Sequence, residues 1–105
     1  MGEILPIELA DRLEREPKPL LLDIREPWEH EVARLPGAVL IPMEELPKRL
    51  GELDRERETV VYCHHGIRSA SVQGYLAQVG FTKVWNLAGG IDLWSRTIDP
   101  ATPRY

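Results

Sequence analysis

Two short runs constrain this chain more than anything else in it: residues 20–24, "LLLDI", and residues 59–63, "TVVYC". Both are nearly continuous apolar stretches of strand length. A strand with one wet face would alternate, so these predict strands covered on both sides, as in a parallel sheet between helical layers. Helical patterns lie around them. Leu5, Leu9 and Leu13 recur at helical spacing, with Pro6 tolerated in a first turn and Pro17 closing the pattern. "PWEHEVA" reads as a brief helix and "LPG" as a turn into a short strand, "AVLI". In "PMEELPKRL", Met43, Leu46 and Leu50 share a helical face whose start Pro47 delays or breaks. Beyond Ser69, the residues Val72, Tyr75, Leu76 and Val79 keep i, i+3, i+4, i+7 spacing, and Gly80 suits a C-cap. Gly74 inside that helix costs about 1 kcal/mol relative to Ala, which predicts a neighbour packed closely against it. "KVWNL" is a further strand, "AGG" a turn holding Gly89 and Gly90, and "IDLWSR" a last short helix. The expected fold class is therefore α/β, a mostly parallel central sheet with helices on both faces. In such sheets, sites form beyond the carboxyl ends of the strands.

At 105 residues the chain suits one core, and no repeat, linker or low-complexity tract divides it, so residues 1–105 are expected to form a single domain. No segment approaches the roughly 20 apolar residues of a membrane span. The start, "MGEILPIELADRLERE", lacks the basic residues and apolar run of a secretory leader, so a cytoplasmic location without membrane partners is expected. A formal net charge of −4 argues against a general nucleic-acid surface. The one cysteine, Cys63, excludes an intrachain disulfide and any zinc site built from several thiolates.

That cysteine ends the second apolar run and is followed at once by two histidines, a glycine and an arginine: residues 60–71 read "VVYCHHGIRSAS". A loop running from a strand into a helix N-terminus aims unpaired backbone N–H groups at one spot, and the helix dipole adds about half a positive charge there. A thiol in that field loses its proton more easily, and an anion binds beside it. Arg68 contributes a permanent cation, His64 and His65 conditional ones, and Gly66 permits a positive φ. Considered alone, a free cysteine is more often a buried small hydrophobe. That role gives no reason for the polar run that follows Cys63. Adjacent histidines without further ligands are a weak metal signal, and no metal or cofactor is expected. Ser69 and Ser71 suit a helix start, and Arg68 is equally able to pair with a carboxylate elsewhere.

With these residues in place the sequence resembles the single-domain rhodaneses, a family of sulfurtransferases. "CHHGIRS" is similar to the family's Cys-x-x-Gly-x-Arg-Ser loop, "LLDIREPWEH" to its Asp-x-Arg-x-x-x-Glu segment, "LPGAVLIP" to its Pro-Gly-Ala segment, and "LAGGIDLW" to its closing Gly-Gly-x-x-x-Trp segment. Ala33 and Arg34 stand where members often carry Gly-His. The resemblance implies a rhodanese-like three-layer fold and covalent two-step catalysis through a Cys63 persulfide. Cys63 would take the sulfane sulfur of a donor such as thiosulfate or a persulfide and pass it to cyanide, a thiol or a sulfur-accepting protein. It makes Cys63 and Arg68 the catalytic residues and His64, His65, Gly66, Ile67 and Ser69 the substrate-binding loop. Asp23 and Arg25 become structural residues near the site, holding adjacent loops through charge-assisted hydrogen bonds, with direct catalysis the lesser alternative. Trp28 and Trp94 are placed to line the entrance, although tryptophan is more often a large packing element.

Three rivals remain at this stage. Cysteine phosphatases and arsenate reductases on related architecture place five residues between cysteine and arginine, whereas "CHHGIR" places four. At about 3.3 to 3.6 Å of reach per residue, the shorter loop fits a single sulfur atom better than a tetrahedral phosphate. A noncatalytic binding module is the second rival, although such members typically lack the cysteine. A thiol redox sensor is the third, and its resolving thiol would have to come from another molecule.

Overall fold

The computed structural model describes residues 2–105. Five strands form one sheet: β1 (Glu3–Ile4), β2 (Leu20–Asp23), β3 (Val39–Leu40), β4 (Thr59–Tyr62) and β5 (Val84–Leu87). They lie in the order β1-β5-β4-β2-β3, and every pairing is parallel. The two apolar runs are neighbours, with Leu21 opposite Val60 and Asp23 opposite Tyr62. β4 is buried along its whole length because alternate residues enter different cores. Val61 and Cys63 join Leu22, Ile24, Val72 and Leu76 on one face. Val60 and Tyr62 join Leu9, Leu35, Ile91 and Trp94 on the other. This double coverage is why neither run alternates.

On the first face lie α3 (Leu46–Arg49) and α4 (Ile67–Gln78); on the second lie α1 (Pro6–Arg12) and α5 (Gly90–Thr97), and α2 (Pro27–Val32) follows β2. Pro47 has the expected effect: residues 43–52 fold as a 3-10 turn, a single turn of α-helix and another 3-10 turn, with Leu46 buried and Met43 and Leu50 packed on the same core. α4 ends in a Schellman motif. Gly80, at φ 99°, donates to Ala77 at 3.3 Å, and Phe81 donates to Leu76 at 3.0 Å.

The structure corrects three details of the sequence reading. Leu5 precedes α1 and is 51% exposed, so Pro6, Leu9, Ala10 and Leu13 face the core in its place. β1 pairs with β5 through two residues, too short to leave a periodic signal. Gly74 has nothing within 4 Å of a built Cβ, so no close neighbour accounts for it. Among the described residues, no helix is long and apolar enough to cross a membrane.

Candidate active site

Cys63 follows β4 directly, at the carboxyl end of the central strand, and the loop of residues 63–66 leads into α4. Gly66 is the N-cap, at φ 102°, a value that L side chains rarely adopt. The turn it makes wraps the loop around sulfur. Cys63 Sγ accepts hydrogen bonds from the Gly66 N–H at 3.1 Å and the Ser69 N–H at 3.4 Å, and the Ser69 hydroxyl lies 3.3 Å away. The sulfur thus occupies the place of a capping side chain at the start of a 12-residue helix.

The amides point inward because the carbonyls are tied outward. α5 begins beside the loop, where the Ile91 N–H donates to the Cys63 carbonyl at 2.9 Å and the Asp92 N–H to the His64 carbonyl at 3.0 Å. The Gly66 carbonyl takes the Ala70 N–H at 3.2 Å and the Asn86 side-chain amide at 3.1 Å. Gly90 makes the close approach of α5 possible, since a Cβ there would overlap the Cys63 and His64 carbonyl groups. The "AGG" turn therefore does more than reverse the chain.

Cys63 is only 1% exposed, yet it forms the floor of a cleft of about 270 Å³ lined also by His64, His65, Ile67 and Arg68. Burial pushes its pKa up, while the Ser69 hydroxyl and the amides of Ser69, Gly66 and His65 pull it down; the net direction is below that of an ordinary thiol. Ser69 is fully buried and also donates to Asn86 Oδ1 at 2.5 Å. A hydroxyl has one proton to give. With that proton on Asn86, the Ser69 oxygen is left to accept from the thiol.

Arg68 lies at the cleft with its side chain 37% exposed, and it is not unpaired. Its two terminal nitrogens meet both oxygens of Glu29 at 2.8 Å each. Glu29 also accepts the Tyr105 hydroxyl at 2.9 Å and the Glu26 N–H at 2.9 Å. The Arg68 fork is the main cause that holds this carboxylate's pKa down to about 2, against the opposing effect of burial. The His64 pKa is lowered by burial and by the neighbouring His65, which weakens the conditional charge expected of it. Its ring stacks on His65 at 4.1 Å and on Tyr105 at 4.0 Å. The positive field at the sulfur is consequently one of dipoles more than of unpaired cations.

Asp23 and Arg25 are fully buried and bonded to each other at 2.7 Å and 2.6 Å. Arg25 also donates to the Ala33 carbonyl at 2.5 Å and to the Tyr105 hydroxyl at 2.6 Å. Both therefore stand next to the site without lining the cleft. Trp94 is core, whereas Trp28 is 60% exposed with its ring edge-on to Tyr105. His64, His65 and Asp92 offer ligand atoms within 4.8 Å of one another. The imidazoles are nearly parallel, however, so their lone pairs do not converge, and Asp92 is already held by Arg96 at 2.8 Å. A larger cleft of about 520 Å³ lies between α1 and Trp85 and contains no nucleophile.

Four participants were not singled out by sequence. Glu29 sits inside the quoted "DIREPWEH" segment, where its spacing from Arg25 was the available signal. Asn86 and Asp92 sit in or next to ordinary strand and helix patterns, and Tyr105 follows the last helix with no local signal.

A rhodanese-like domain model matches residues 5–97. A sulfurtransferase of Allochromatium vinosum is 40% identical over 96 residues, which cover 91% of this chain and 90% of that protein. A putative sulfurtransferase of Bacillus subtilis, YtwF, is 35% identical over 98 residues, 93% and 94% of the two chains. The probable adenylyltransferase/sulfurtransferase MoeZ of Mycobacterium tuberculosis is 35% identical over 97% of this chain, which spans only 26% of its length. Among solved structures, the rhodanese-like domain protein of Staphylococcus aureus superposes with a TM-score of 0.87 at 28% identity, covering 100% and 99% of the chains. The human single-domain sulfurtransferase TSTD1 gives 0.83 at 25% identity, covering 90% and 96%. A cysteine seated in the amide nest of a strand-to-helix loop, a parallel sheet in this order and a match over nearly all of its length together make this chain a member of the rhodanese-like domain family.

Proposed function

We propose that this protein is a sulfurtransferase that carries a sulfane sulfur on Cys63. The observation that carries the reading is the sulfur itself, buried at the floor of a cleft yet ringed by N–H groups that favour its anion. In the first half-reaction the Cys63 thiolate attacks the outer sulfur of thiosulfate. The S–S bond of the donor breaks, its electron pair leaves with sulfite, and Cys63 holds a persulfide anion. An organic persulfide reacts in the same way and leaves as a thiolate. In the second half-reaction the acceptor, cyanide or a thiolate, attacks the terminal sulfur; thiocyanate or a new persulfide departs, and the Cys63 thiolate returns. The N–H groups stabilise the anion without reorganisation because the outer hydrogen bonds of the loop already fix them. Arg68, Ile67, His64 and His65 form the mouth through which donor and acceptor enter. A free thiol nucleophile suits a reducing compartment, in keeping with a cytoplasmic location.

Intact-protein mass spectrometry after brief exposure to thiosulfate, polysulfide or a small persulfide tests this. The expected result is a gain of one sulfur atom, absent in Cys63→Ser and discharged by cyanide or a thiol. No gain from any of the donors would refute sulfur transfer and leave a docking module or redox sensor as the reading.

A further inference from the structure

Residues 98–105 follow α5, and Tyr105 returns to the site from 42 positions beyond Cys63. Its hydroxyl accepts a hydrogen bond from Arg25 at 2.6 Å and donates to Glu29 at 2.9 Å, on the same carboxylate oxygen that takes one arm of the Arg68 fork. We propose that Tyr105 is a positioning residue of the active site, anchoring the Glu29–Arg68 pair to the buried Asp23–Arg25 pair and closing one side of the cleft against His64. The proposal rests on the sulfurtransferase reading for its purpose, though its geometry stands independently.

One end of this relay is rigid and the other is not. Arg25 is fully buried and fixed by Asp23 and the Ala33 carbonyl. Arg68 is a long side chain, more than a third exposed, that left alone samples many rotamers. Between them stand Glu29 and Tyr105. Because Arg25 donates to the phenol oxygen, the phenol proton is directed to Glu29, and burial keeps that proton in place by raising the hydroxyl pKa to about 12. The Tyr105 ring meanwhile stacks on His64 with an interplanar angle of 10° and meets the edge of Trp28 at 5.8 Å. A single residue thus reaches two members of the cleft lining, Arg68 through its hydroxyl and His64 through its ring. Tyr105→Phe removes the first link and keeps the second.

The test compares the alkylation rates of Cys63 by iodoacetate, an anion, and iodoacetamide, its neutral analogue, in the full chain. Their ratio reads the placement of the Arg68 charge and requires no sulfur transfer. Tyr105→Phe is expected to lower the ratio at least threefold, Arg68→Gln to lower it further, and the double variant to match Arg68→Gln alone, which is the signature of coupling. The iodoacetamide rate serves as the folding control, since loosening of the fold would raise both rates. Tyr105→Ala should also reduce the ring-current shift of the His64 ring protons to what His65 alone produces, whereas Tyr105→Phe retains it. An unchanged ratio in Tyr105→Phe, or an equal effect with and without Arg68, would overturn the proposal. Thiosulfate loading of the unaltered protein is followed in parallel: its failure refutes the sulfurtransferase reading and leaves the positioning result standing.

Discussion

Replacing Glu29 by Gln removes a charge while keeping shape, and the structure sets both its cost and its pH dependence. The carboxylate is 4% exposed and joins Arg68, Tyr105 and the Glu26 N–H, and its pKa falls from an ordinary 4.5 to about 2. At roughly 1.36 kcal/mol per unit, that depression corresponds to about 3 kcal/mol of stability at pH 7. The pair is a salt bridge at the edge of solvent, so this figure is an upper value. A group whose folded pKa is depressed stabilises the fold above its unfolded pKa and ceases to do so as pH falls through the folded one. The gap between the parent and Glu29→Gln should therefore be full at pH 7 and shrink to about 1.5 kcal/mol at pH 3. The other carboxylates largely cancel between the two proteins, apart from Glu26, whose pKa the Glu29 charge helps to raise. Urea unfolding followed by tryptophan fluorescence at the two pH values measures the gap. A difference below about 0.5 kcal/mol at pH 7, or one that does not shrink with acid, would refute the assignment of Glu29 as a buried charged partner of Arg68.

Three further variants probe the scaffold and the loop. Gly74→Ala should raise stability by about 1 kcal/mol in the same unfolding assay, because a Cβ there meets nothing within 4 Å and the helix gains propensity. Gly90→Ala should cost at least about 2 kcal/mol and slow sulfur loading, because φ is 62° and the added Cβ strikes the carbonyls of Cys63 and His64. Ser69→Ala should raise the thiol pKa, read from the pH dependence of iodoacetamide alkylation, because it deletes the hydroxyl 3.3 Å from the sulfur.

The elements that were legible in the sequence are those whose signal is local. The runs of residues 20–24 and 59–63 announced buried parallel strands because each residue type reports its own two-sided burial, and Gly80 announced a helix end because only a positive φ fits there. The loop around Cys63 was legible for the same reason: Cys63, Gly66 and Ser69 lie within seven residues and are brought together by one turn. What eluded sequence is long-range. Arg68 meets Glu29 across 39 positions, and Glu29 meets Tyr105 across 76, pairings that depend on how α2 and the residues after α5 converge on the loop. Burial and the neighbouring His65 hold the His64 pKa down, and the burial is not visible in a dipeptide. Gly74 misled in the other direction, since helix propensity registers a cost without saying whether a contact demands it.

The proposed chemistry depends on N–H groups prevailing over burial at one sulfur atom. Titration of the thiolate absorbance in the far ultraviolet, with Cys63→Ser subtracted, measures this without requiring any reagent to enter the cleft. The chain has a single cysteine, so the signal has one source. The predicted midpoint lies below that of the same thiol in the urea-unfolded chain. A midpoint at or above that value would mean that burial wins, and the cleft would hold a packed hydrophobe in place of a nucleophile.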